Sequence, residues 1–352
     1  DPPQAVRHAE HIRRTFSINL SQTKEIKAQH DNGIHALDLD VSTGRYLICG
    51  SQDKAISIYD TLVRTKNLGS RYKCPSVHKI KHAHAFSVET VQWYPHDNGL
   101  FTSSGMDGCV KLWDARTMQE ALCFSDFTGG GGGVVYHHAM SLIGSHGLIA
   151  VGSTSRKVTL CDPSTGLATH QLSGHQKNVL AVAWSPKNEY LLATASADNQ
   201  ILCWDIRSSG PVLTLDQYNG EARGTFSNII NAHDGAVNGL QYTHDGEHLL
   251  STGNDGRLRV WDANTGENTL LNITGFNNKS SKNITFCVSR GSRDRLIFHP
   301  HNSDIAVYNL STGVLRNTLK GHYREVHSCI FHPTREEVYS GSSDAEVLVW
   351  TP

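Results

Sequence analysis

The sequence predicts an all-β fold assembled from seven copies of one unit. Three observations predict it: a period, a fixed set of polar positions within the period, and an alternating pattern between them. Aligning GHQKNVLAVAWSPKNEYLLATASADNQILCWD with AHDGAVNGLQYTHDGEHLLSTGNDGRLRVWD, AHAFSVETVQWYPHDNGLFTSSGMDGCVKLWD and GHYREVHSCIFHPTREEVYSGSSDAEVLVWT returns the same order each time. A His comes first, an aromatic or apolar residue follows nine positions later, and an Asp precedes a Trp by six. Between these markers apolar and polar residues alternate in short runs separated by turn residues, which is the signature of strands. Weaker copies end at Tyr59-Asp60, Cys161-Asp162 and Tyr308-Asn309, bringing the total to seven.

Units of roughly 40 to 55 residues with an initial His and a terminal Trp-Asp resemble WD-repeat propellers, whose blades are four-stranded sheets around a central channel. The resemblance covers nearly the whole chain. It implies a seven-bladed WD-repeat β-propeller over residues 15–352, preceded by a short N-terminal helical segment over 1–14.

In chain order, PPQAVRHAEHIRRTF opens with a proline pair of the kind found at helix starts, followed by residues compatible with a short helix carrying Val6, Ala9, Ile12 and Arg13. Next, TFSINLSQTKEI, residues 15–26, is expected to supply the outer strand of the last blade beside AEVLVW. Such a closure hides sheet edges that would otherwise be open to pairing. The first unit then runs to Asp60 and the second, from His84, to Asp114. Five glycines, Gly129 to Gly133, fall where the third blade should begin, leaving its first strand unassigned. No Gly-Lys-Ser/Thr follows them, so they read as a connector rather than a phosphate loop. The fourth, fifth, sixth and seventh units follow without a comparable break.

Four polar positions recur with a physical logic. His175, Thr194, Asp198 and Trp204 would meet at the edge of the fourth blade, because an indole donates, a hydroxyl and an imidazole do both, and a carboxylate accepts. The same positions are His84, Ser103, Asp107 and Trp113 in the second unit, His233, Ser251, Asp255 and Trp261 in the fifth, and His322, Ser340, Asp344 and Trp350 in the seventh. The first unit keeps His30 and Asp53 but has Cys49 for the hydroxyl and Tyr59 for Trp. The third has Ser155 and Cys161 at the Asp and Trp positions, and the sixth has Asn302 and Tyr308. Those three blades are expected to lean more on apolar packing.

Composition narrows the function classes. With 32 basic and 33 acidic residues no global field favours nucleic acid or an anionic membrane. Eight cysteines without a Cys-x-x-Cys pair, several inside apolar runs, point to a reducing compartment. No run of ~18 apolar residues is present to span a bilayer, and the start lacks the apolar centre of a signal peptide, so a soluble intracellular protein without a membrane partner is expected. The 21 histidines invite a metal, but at least five are repeat residues, and the clusters HKIKHAH, YHHAM and FHPHN lack carboxylate or Cys partners at ligand spacing. No metal, no cofactor and no catalytic residue is expected, since the Ser, His and Asp positions are those of the repeat. From Arg64 to Lys81 six Lys or Arg occur without an acid; they read as a solvated edge strand protected by its charges in preference to a site for an acidic partner or a phosphate backbone. Direct nucleic-acid binding is not expected.

Two units end in Trp-Asp-x-Arg, at Arg116 and Arg207. The run LATASADNQILCWDIR resembles the extended box of WD-repeat substrate receptors for cullin-4 ubiquitin ligases, with Arg207 the better match. Further stretches similar to receptors of transcription-coupled nucleotide excision repair are SVETVQWYPHD, TLDQYNG, TGENTLLN, LKGHYREVHSCIF and VYSGSSD. The resemblance implies a non-enzymatic, nuclear substrate-recognition subunit whose Arg207, Arg116 and Asp205, with Val6, Ile12, Arg13 and Arg14 of a helical N-terminal segment, dock on the ligase's damaged-DNA-binding adaptor. Through that adaptor it would reach cullin-4 and the RING subunit. It further implies targets, the Cockayne syndrome group B repair ATPase and the stalled RNA polymerase II machinery, on the face bearing His84, His175, Asp198, His233, Asp255, His322 and Asp344. The alternative is a scaffold of another nuclear complex without a ligase role.

Overall fold

Strands of five or six residues recur along the chain because apolar side chains fall on both faces of the second and third strand of each unit. Leu191–Ser196 and Leu100–Gly105 are buried beyond their first residue, whereas the fourth strand Leu167–Ser173 exposes every side chain but Leu172. A strand hidden between neighbouring sheets reads as a continuous apolar run. An outer strand carries polar residues that protect the edge. The computed structural model describes residues 13–27, 29–63, 65–66, 72–95, 97–128, 133–220, 230–280, 282–290 and 295–352. Seven antiparallel sheets of successive strands form, and they are the blades of a seven-bladed β-propeller.

The chain divides into two compact units. One spans His84–Ile284 and holds the second to fifth blades. The second blade is Val88–Trp93, Leu100–Gly105, Val110–Asp114 and Gln119–Phe124. The third is Val135–Met140, Ile149–Ser153, Lys157–Asp162 and Leu167–Ser173. Its first strand thus begins just past the glycine tract, of which residues 129–132 lie outside the described residues. The fourth blade is Val179–Trp184, Leu191–Ser196, Ile201–Asp205 and Pro211–Thr214. The fifth departs from the expected four strands: Val237–Tyr242, His248–Gly253 and Arg257–Asp262 form a three-stranded sheet. Where a fourth strand would lie, there is no further strand but the bridge Trp261↔Asn268, with Asp262 N donating to Glu267 O and Thr269 N to Val260 O. Asn268 instead turns its amide to Gln217 O, 2.9 Å away. The fourth and fifth blades bury small residues against large ones, Ala181, Ala193 and Ala195 facing Leu240, Tyr242 and Trp261.

The other unit, Asp1–Ala83 with Thr285–Pro352, holds the first, sixth and seventh blades. The first is Ile34–Leu39, Tyr46–Ser51, Ile56–Asp60 and Ser76–Ile80. The sixth is Cys287–Val288, Leu296–His301, Asp304–Asn309 and Leu315–Lys320. The seventh, Val326–Phe331, Val338–Ser342 and Val347–Thr351, takes its outer strand from the N-terminal region, where Asn19 faces Thr351 and Leu20 faces Trp350.

The strand expected over 15–26 is shorter than that span. Residues 13–16 form a helical turn closed by Ser17, whose amide and hydroxyl both donate to Arg14 O at 3.0 Å, so Thr15 and Phe16 are helical. After Leu20 the chain leaves the seventh blade. Ser21 Oγ accepts from Lys24 N at 3.0 Å, and Lys24–Ile26 pairs in parallel with Tyr72–Cys74. A buried cluster holds that departure: Lys24 Nζ lies 2.6 Å from Glu337 Oε2 and 2.7 Å from Tyr339 Oη.

The basic tract from Arg64 to Lys81 is likewise not one edge strand. Tyr72–Cys74 pairs with Thr65–Lys66 and with Lys24–Ile26 in a small extra sheet, and Ser76–Ile80 is the outer strand of the first blade. Lys73 lies 3.8 Å from Glu25, and Lys79 lies 3.7 Å from Asp53. Arg64 and Arg71 lie outside the described residues.

Candidate functional site

In the second, fourth, fifth and seventh blades the recurrent polar residues link the loop entering the first strand and the hairpin joining the second to the third with the third strand, whose Trp lies near its far end. In the fourth blade Trp204 Nε1 donates to Thr194 Oγ1 at 2.8 Å, and His175 Nε2 meets that hydroxyl at 2.8 Å. His175 Nδ1 lies 3.0 Å from Asp198 Oδ2. A carboxylate only accepts, so Nδ1 carries the proton and Nε2 accepts the hydroxyl hydrogen. The corresponding contacts are 2.8, 2.7 and 3.0 Å in the second blade, 2.8, 2.8 and 3.0 Å in the fifth, and 2.8, 2.8 and 2.8 Å in the seventh.

Each aspartate also accepts the amide of the residue after its histidine: Ala85, Gln176, Asp234 or Tyr323. Burial alone would raise these carboxyls, but the histidine and amide hydrogen bonds prevail and hold Asp107, Asp198, Asp255 and Asp344 below the usual carboxylate range. Every polar group in the chain of bonds is answered internally, so it fastens loop to hairpin and presents no nucleophile or base outward.

The first blade is incomplete. His30 Nδ1 reaches Asp53 at 3.1 Å, but His30 Nε2 is buried without a hydrogen-bond partner among the described residues, the thiol of Cys49 standing where other blades have a hydroxyl. Tyr59, in place of Trp, takes the amide of Gln29 instead, at 3.1 Å. In the fifth blade an additional cation enters. Arg259 Nη1 lies 2.8 Å from Asp255 Oδ2, and its Nη2 donates to Gln217 Oε1.

At the opposite end of the fourth blade the third strand runs out at Asp205, and the chain folds back on itself. Asp205 Oδ1 accepts from both the amide of Arg207 at 3.0 Å and its Nε at 2.9 Å, and Oδ2 accepts from Nη2 at 2.6 Å. These bonds hold the Asp205 carboxyl at about 2 and the guanidinium above its ordinary value. The guanidinium carbon also lies 4.3 Å from the centre of the Tyr190 ring, and Ile206 N donates to Tyr190 O. Nη1 makes no hydrogen bond within the described residues, and the arginine side chain remains 60 % exposed. A guanidinium fixed on two sides and open on a third is prepared for a partner's acceptor at little entropic cost.

The other candidates are less constrained. Arg116 is exposed, and its amide, not its side chain, is bound to Asp114 Oδ1 at 2.7 Å. It ends the third strand of the second blade, so the third blade separates it from Arg207. Arg13 and Arg14 lie in the N-terminal helical turn of the other unit, where Arg14 Nε pairs with Glu336 Oε2 at 3.2 Å. Val6 and Ile12 lie outside the described residues.

Sequence reasoning did not find the support around Arg207. Glu189, beside Tyr190, accepts from Ser145 N at 2.7 Å and Oγ at 3.1 Å, and His146 Nε2 lies 2.9 Å from Glu189 O. These bonds join the third blade to the fourth and leave no periodic trace. Among the described residues no three His, Cys, Asp or Glu side chains come together as a metal-binding group, and no helix is long and apolar enough to cross a membrane.

The family described as WD domain, G-beta repeat matches residues 21–60, 75–114, 166–205, 224–262 and 313–351. The chain is 30% identical to the WD repeat-containing protein ATCSA-1 of Arabidopsis thaliana, over 97% of this chain and 90% of that one. Partial similarities reach ribosome biogenesis protein YTM1 of Saccharomyces cerevisiae (27% identical, 56% of this chain and 48% of that one). They also reach anaphase-promoting complex subunit cdh1 of Dictyostelium discoideum (29% identical, 50% of this chain and 20% of that one). With five matched segments, each ending at or next to the third strand of a blade, the chain belongs to the WD domain, G-beta repeat family.

Proposed function

We propose that the chain is the non-catalytic substrate-recognition subunit of a cullin-4 ubiquitin ligase, acting in the nucleus in transcription-coupled nucleotide excision repair as the Cockayne syndrome group A protein does. The observation that carries this reading is the geometry of Arg207. It closes a Trp-Asp-x-Arg sequence and is clamped by Asp205 and Tyr190 with one edge left open. Similarity to ATCSA-1 along nearly the full length of both chains supports it. In this reading the damaged-DNA-binding adaptor takes the Arg207 end of the blades, cullin-4 and the RING subunit are reached through it, and the Cockayne syndrome group B repair ATPase or polymerase components meet the end bearing the histidines. The second reading, a scaffold in another nuclear assembly, is favoured by the partial similarity to YTM1 and predicts no adaptor binding.

The test is capture of purified adaptor by the wild-type chain beside Arg207→Glu and a chain lacking residues 1–14. Binding weakened by both changes supports the receptor. Absence of wild-type binding returns the scaffold to first place.

A further inference from the structure

At the histidine-bearing end of the fourth and fifth blades a loop crosses between them on asparagine anchors. Asn278 Nδ2 donates to Asn238 Oδ1 at 2.8 Å, and Asn238 Nδ2 donates to Ser280 O and Lys282 O, each at 2.8 Å. Asn283 Nδ2 donates to Leu180 O of the fourth blade at 2.9 Å, and Ile284 N donates to Asn238 O. Asn238 and Asn278 are buried, so the loop is bolted down from beneath. Between Asn278 and Ile284 its exposed side chains among the described residues are Lys279 and Lys282.

Two further exposed cations lie close in the chain to its contacts: Lys177, three residues before the Leu180 carbonyl that Asn283 holds, and Arg257, which opens the fifth blade's third strand beside Gly256, where a Cβ would lie 3.9 Å from Asn277 Oδ1. None of the four makes an ion pair among the described residues. The carboxylates on the same loops are engaged: Asp198 by His175, Asp255 by His233 and Arg259, and Asp234 by Gln217 Nε2 at 2.8 Å. Four cations stand on a hydrogen-bonded base beside carboxylates engaged by other groups, and among the described residues none of the four is paired, so positive charge is in excess on this surface.

We propose that this surface, Lys177, Arg257, Lys279 and Lys282, binds an acidic peptide segment of a protein partner. The pre-ordered loop reduces the entropic cost of holding an extended acidic chain, and complementary charge speeds and orients its arrival. The proposal deepens the receptor reading and rests on it only in calling the bound segment part of a target.

The experiment is a fluorescence-anisotropy titration of the full chain with a short labelled glutamate-rich peptide and its glutamine counterpart, at two salt concentrations. Wild type is compared with Lys279→Glu/Lys282→Glu, and melting curves check that both are folded. The expected result is binding of the acidic peptide alone, weakened by salt and lost about tenfold or more in the variant, whose melting temperature and adaptor capture match wild type. Absence of binding, equal binding by the variant, or tighter binding of a single-stranded oligonucleotide that the variant also loses would overturn it. Adaptor capture measured in parallel separates this failure from failure of the receptor reading.

Discussion

The guanidinium of Arg207 lies 4.3 Å from the ring centre of Tyr190 while its Nε and Nη2 grip Asp205, so two residues from two hairpins of one blade fix a single cation at the blade's end. A surface ion pair of this kind adds little to folding stability. Its consequence is orientation.

Arg207→Glu is therefore expected to lower adaptor affinity by about tenfold or more, since it sets a second carboxylate beside Asp205, while leaving the thermal transition nearly where it was. Tyr190→Ala should weaken binding less, because Asp205 still holds the arginine. Titration of adaptor against the three proteins with parallel melting curves checks both. A variant that loses binding and melts early would assign Arg207 to folding instead.

Trp204 is fully buried and donates to Thr194. Trp204→Ala is expected to cost about 3–5 kcal/mol, the usual range for emptying an aromatic site in a core. Denaturant unfolding measures it, and an unchanged midpoint would show that the blade does not depend on this bond.

Cys49→Ser tests the defect in the first blade. Among the described residues His30 Nε2 is buried without a partner, and Cys49 follows His30 by the interval that separates His175 from Thr194 and His84 from Ser103. A hydroxyl there is expected to satisfy the imidazole and stabilise the protein by about 1 kcal/mol, seen as a raised melting temperature. A lowered one would mean that the thiol's packing outweighs the missing bond.

His138, on the first strand of the third blade, is buried between Thr102 Oγ1 and Ser104 Oγ, each 2.8 Å from a ring nitrogen. Burial pushes it down to about 3, with the neighbouring imidazoles of His137 and His84 adding to the effect. The folded chain keeps the ring neutral to about pH 3, whereas the unfolded chain takes up the proton near 6.5. Stability is thus full above 6.5 and falls as pH drops towards 3, by on the order of 5 kcal/mol from this one group. Unfolding curves across that window should slope less steeply in His138→Gln, which bonds both hydroxyls but does not titrate.

The sequence by itself determined the architecture and the polar bond chains. Each lies within one repeat, where the interval from His to Asp or from Asp to Trp is a covalent distance that recurs, as His175, Thr194, Asp198 and Trp204 illustrate. Arg207 was legible for the same reason, as the residue two past Asp205. Tertiary structure decided whatever joins residues distant in the chain. It clamped Lys24 against Glu337 and Tyr339, turned Lys24–Ile26 away from the seventh blade into a sheet with Tyr72–Cys74, and left the fifth blade with three strands. It set Tyr190 under Arg207 and anchored Lys279 and Lys282 through Asn238. Such contacts arise between side chains brought together only when strands pair into blades and the blades stack, and no period in the sequence records them.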